Sequence, residues 1–120
     1  MMSGMPVSMS NRVFEELVGD ALDLLPDELT DAMSNVVILV RDHHPEDPSV
    51  LGLYTGVSLT ERTNDYSGFL PDTIEIFREP LLAVCSTPDQ VRHEVAVTVL
   101  HEVGHHFGID DRWLHENGWG

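Results

Sequence analysis

This 120-residue chain has no lysine, and its six basic residues, all arginine, stand against 21 acidic ones for a formal net charge of −15. A surface of that sign repels phosphate, which argues against nucleic acid and anionic membrane as partners. Only one cysteine is present, Cys85. It cannot close an internal disulfide and suits a reducing compartment. No apolar run approaches the roughly 20 residues that span a bilayer. The N-terminal MMSGMPVSMSNR also lacks the basic and apolar stretches of a signal peptide. The expected location is therefore cytoplasmic. What is present, 42% apolar residues in a chain of this length, is enough for one compact core and leaves little room for a second domain.

The chemistry concentrates near the C-terminus, in His101-Glu102-Val103-Gly104-His105-His106-Phe107-Gly108-Ile109-Asp110-Asp111, an HExxH that continues into HExxHxxGxxD. On a helix, positions i and i+4 share a face one turn apart, so His101 and His105 can close on one metal ion. Glu102 lies beside them, placed to take a proton from water at that ion. Two imidazoles with a neighbouring carboxylate suit a zinc hydrolase. In a chain of this composition HExxH would arise by chance in roughly 3% of cases, and the extended pattern in about two of ten thousand. The long motif is therefore the informative one.

The sequence specifies the helix that carries it. Thr87-Pro88-Asp89-Gln90 reads as a capping box with proline at the first helical position. Val91, Val95, Val99 and Val103 then recur every four residues and form a stripe wide enough to bury the helix against a sheet. Gly108 stands where a left-handed residue would end the helix. Its turn would send the chain back so that Asp111 can approach the histidine pair. Asp110 and Glu116 are the alternatives, and Asp110 also suits the N-cap of a final short helix over 112–117.

Upstream, residues 1–9 read as a flexible tail and 10–120 as a single domain. Ser10 or Asn11 caps an amphipathic helix that ends before Pro26, and residues 27–34 suggest a second, shorter one. The unbroken run Val36–Val40 predicts a central strand covered on both faces. Residues 41–50, with His43 and His44, read as a solvated loop. Gly52 and Gly56 bracket Leu53-Tyr54-Thr55, suggesting a bend. Residues 73–78 alternate and predict a strand near an edge, followed by a short apolar helix from Pro80 to Cys85. The result is an α+β fold, a short β-sheet packed on the motif helix.

At HExxHxFGIDD the chain resembles the zincins, and most closely the small bacterial zincin-like metallopeptidase family. The resemblance is most specific over residues 98–118. It implies a small zincin-like domain with Zn²⁺ held by His101, His105 and a third ligand at Asp111, where metzincins usually have His. It also implies Glu102 as general base, and a peptide or unfolded protein segment as substrate, bound extended along the strand at 73–78. No methionine follows Asp111, so the metzincin Met-turn is missing, as is the C-terminal half that normally completes the cleft. The alternative is accordingly a non-catalytic zinc-binding interaction module, or a subunit whose protein partner completes the cleft. Tyr54, Tyr66 and His106 are the candidates for a second electrophile, and His115 for a residue holding the Asp111 carboxylate.

Overall fold

The computed structural model describes residues 7–33, 35–57, 71–109 and 111–116, without the side chains of Asp111 and Trp113. Its elements run α1 (Asn11–Leu22), α2 (Asp27–Ala32), β1 (Val36–Arg41), β2 (Gly52–Thr55), β3 (Asp72–Phe77), α3 (Arg78–Ala83), α4 (Pro88–His106) and α5 (Asp111–Glu116). Three strands form one sheet in the order β1-β3-β2. β3 pairs parallel with β1 and antiparallel with β2. Helices cover one face of this sheet, which makes the fold α+β.

The sequence points to the motif helix as the centre of the core, and there it lies. Val91, Val95, Val99 and Val103 are all fully buried. They join Phe14, Leu17, Val18 and Ala21 of α1 and Ile74 and Ile76 of β3 in one apolar cluster. The Thr87 hydroxyl accepts from the Gln90 N–H, as a capping box requires. Gln90 reaches one residue further back than the box predicts, and its Oε1 accepts from the Ser86 N–H at 2.6 Å. At the other end Gly108 has φ +78°. The Ile109 N–H donates to the Gly104 carbonyl and the Gly108 N–H to that of His105, the paired bonds of a Schellman motif.

Three expectations about the sheet are corrected. β1 is not central: among the described residues it is an edge strand, and Val37 is 40% exposed. A continuous apolar run needs cover on both faces to be central, and here only the face of Val36, Ile38 and Val40 packs on the core. The alternating strand takes the middle instead, because Asp72, Ile74 and Ile76 turn one fully buried face to the helices. Both edges of β3 are paired over residues 73–76, so the expected substrate strand has no free edge there, and Arg78 begins α3. The bend expected at Gly52–Gly56 is strand β2, in which Leu53 and Tyr54 lie opposite Glu75 and Ile74 of β3.

Elsewhere the order follows the sequence. Ser10 caps α1, its hydroxyl accepting from the Val13 N–H. Within the expected tail, Val7 and Met9 pack against the core and the Met9 carbonyl accepts from Arg78; residues 1–6 lie outside the described residues. The loop after β1 is a turn, as expected. There His44 Nδ1 accepts from the N–H groups of Glu46 and Asp47, while His43 lies 3.2 Å from Glu79. No helix among the described residues is long and apolar enough to cross a membrane.

Candidate metal centre and cleft

α4 carries His101 and His105 on one face, and their Nε2 atoms lie 3.1 Å apart. Facing imidazole nitrogens at that separation either share one proton or aim two lone pairs at a common cation. Two zinc–nitrogen bonds of about 2.0–2.1 Å at a tetrahedral angle set their nitrogens roughly 3.3 Å apart, so the pair fits zinc with a few tenths of an ångström of adjustment. Both rings are half-buried. Among the described residues no group of three His, Cys, Asp or Glu side chains forms a complete metal site. The Asp111 side chain and all of Asp110 lie outside those residues. Glu116 is exposed and pairs with Arg112 on its own helix at 3.5 Å.

α5 is nonetheless folded back against the motif helix. Leu114 is fully buried, and a Cβ on Gly104 would lie 2.6 Å from its Cδ2. Glycine at 104, between the two ligand candidates, is what lets α5 approach this closely. The Gly108 turn and the Gly104 contact together bring α5, at Leu114, against the last turns of α4.

Glu102, 7% exposed, forms part of a cleft of about 270 Å³ with His101, Thr98, Val97, Glu94, Leu51 and Gly52. The opposite wall is therefore β2. It approaches so closely that a Cβ on Gly52 would stand 2.8 Å from Thr98 Cγ2 and 3.3 Å from Glu102 Oε2. Gly52→Ala is accordingly expected to displace β2 or the Glu102 side chain and to destabilise by about 1–3 kcal/mol, as overpacking does. Denaturant midpoints measure this, and an unchanged midpoint would show that the contact yields freely. A larger depression of about 440 Å³ lies at the N-terminal end of α4, lined by Val84, Asp89, Gln90, His93 and Glu94. It is two turns from the histidine pair. Cys85 lines neither cavity, and burial, aided by the Glu94 carboxylate, pushes its thiol pKa up.

Two of the candidate electrophiles face elsewhere. Tyr54 donates its hydroxyl to Asp72 Oδ2 at 2.7 Å, and His106 donates Nδ1–H to the same oxygen at 2.8 Å. Tyr66 lies outside the described residues, and His115 is exposed on α5. The Tyr54–Asp72–His106 network escapes a reading by motif, but the sequence signals it. Asp72 falls in the buried phase of β3, and His106, three residues after Val103, falls on the buried stripe of α4. Two polar residues on apolar faces need each other. His106 is 0% exposed, and its Nε2 has no hydrogen-bond partner among the described residues.

An α+β domain with a helix-borne HExxH facing a cleft under an edge strand is the setting of the zincins. Residues 33–119 match the family described as zincin-like metallopeptidase, and the chain belongs to that family. No curated protein matches it. Its fold is similar to that of a conserved hypothetical protein from Thermus thermophilus, with a TM-score of 0.57 over 82% of this chain and 94% of that one. At 23% identity this is a likeness of fold alone.

Proposed function

We propose that the protein is a zinc-dependent peptidase whose ion is held by His101 and His105 with Asp111 as the third ligand. The observation that carries this reading is the 3.1 Å convergence of the two Nε2 atoms beside a buried Glu102 at the cleft. Zinc there would supply Lewis acidity, making water more acidic at neutral pH. The Glu102 carboxylate accepts the proton of the attacking water and delivers it to the nitrogen of the leaving amine. β2 is the cleft's edge strand among the described residues, so an extended peptide or unfolded segment would bind there by strand addition. Thr98 and Val97 line the helix side of the same cleft. Metal analysis of the purified protein, paired with cleavage of a broad peptide library, tests the proposal. Zinc-loaded protein that cleaves nothing would favour a zinc-binding interaction module, or a subunit completed by a protein partner.

The third ligand has its own test. Gly108 and Asp111 are three residues apart, a span of at most ~11 Å, enough to return from the helix end to an ion one turn back. Glu116, exposed and paired with Arg112, is poorly placed for the task. Asp111→Ala is expected to weaken zinc binding at least ~10-fold, equivalent to about 1.4 kcal/mol. Asp110→Ala is expected to lower stability instead, through loss of a helix cap. Titration with a competing chelator measures affinity and a denaturant midpoint measures stability; the opposite pattern would reassign the ligand to Asp110.

A further inference from the structure

Asp72 is 1% exposed, and one of its oxygens receives hydrogen bonds from two other elements. Tyr54 reaches it from β2 and His106 from the last turn of α4. The backbone after β2 also wraps this carboxylate, since a Cβ on Gly56 would stand 2.5 Å from its Cγ. We propose that Tyr54–Asp72–His106 is a positioning latch that holds edge strand β2 against the ligand-bearing helix and thereby fixes the width of the cleft. The inference deepens the peptidase reading and rests on it for the identity of what the cleft binds.

Three observations support it. β2 has only four residues and, among the described residues, is paired on one side alone, so its ladder gives weak hold over its position. Its two ends make different contacts. Gly52 lies against Thr98 and Glu102 in the cleft, while Tyr54 and Gly56 lie against Asp72. A shift at the Asp72 end therefore moves the wall opposite Glu102. Finally, the Asp72 carboxylate is the shared acceptor, so one buried group bonds both β2 and the ligand-bearing helix. An apolar side chain at position 106 would fill the space and make no such bond. What histidine adds is a directional bond that ties α4, one residue past His105, to the carboxylate that also holds β2.

Tyr54→Phe removes one hydroxyl and leaves the ring; Asp72→Asn serves as the second variant. Each is compared with wild type by hydrogen–deuterium exchange of zinc-loaded and chelator-treated protein, by zinc stoichiometry, and by separate KM and kcat values on a cleavable peptide. In Tyr54→Phe the amides of residues 51–56 are expected to exchange at least ~5-fold faster, with β1 and α1 unchanged. Zinc content should be unaltered, and KM should rise about 5–10-fold with kcat within about twofold. Unchanged exchange over 51–56 would overturn the latch, as would faster exchange spread evenly over the fold. So would equal loss of kcat and kcat/KM at constant KM. Because the exchange measurement needs no activity, an inactive wild type would sink the peptidase reading while the latch is still decided.

Discussion

Glu102→Gln is expected to keep its fold and bind zinc like the wild type while losing about 10²–10⁴-fold in hydrolysis. The substitution preserves shape and hydrogen-bonding capacity in a side chain that is 7% exposed and packed beneath Gly52, so the cleft geometry should hold. What it removes is the ability to accept a proton. With the same zinc content, kcat should fall while KM stays close to its original value, because the base acts in the transition state rather than in binding. A variant retaining more than about a tenth of wild-type kcat would mean that another group takes the proton, and the role assigned to Glu102 would be withdrawn.

His101→Ala and His105→Ala should each lower metal content and thermal stability together. A ligand that binds only the folded state stabilises by about 2.7 kcal/mol at one hundred times its dissociation constant. For a domain of this size that corresponds to a fall of roughly 8–15 °C in melting temperature when the metal is lost. Chelator should bring the wild type down to the level of the variants, and added zinc should restore only the wild type. Melting curves with and without chelator, beside zinc analysis, read this directly. A wild type whose melting temperature ignores both chelator and zinc would end the metal-site reading.

The two halves of the molecule were unequally legible in the sequence, for identifiable reasons. α4 combines local signals that agree: the Thr87 cap, proline at the first position, valines every fourth residue, and Gly108 at the stop. Each depends on residues within one or two turns, so no knowledge of the rest of the chain is needed. Strand order is not local. Val36–Val40 is more apolar than β3, yet β3 is central because its buried face meets α4 and both its edges find partners. Composition measures how much surface a strand could bury, not which neighbours reach it. β2 was hidden by its flanking glycines, which punctuate turns in a linear reading. Here Gly52 serves close approach to Thr98 and Glu102, a requirement set by a helix over 40 residues downstream. Asp72 differs: two residues before Ile74 it falls on the strand's buried phase, but its partner His106 lies 34 residues downstream and no local pattern names it.

His105 stands in the last turn of a 19-residue helix. Aligned peptide dipoles gather roughly half a negative charge at that end. The Schellman bonds from Gly108 and Ile109 satisfy two of the terminal carbonyls, but the field of the helix still points toward the imidazole pair. A cation held between the two imidazoles would meet a favourable potential from the backbone itself. The same field, added to a net charge of −15, opposes the approach of anions. If the cleft takes a peptide as proposed, the Glu94 and Glu102 carboxylates that line it would disfavour a free C-terminal carboxylate beside them more than an uncharged interior segment.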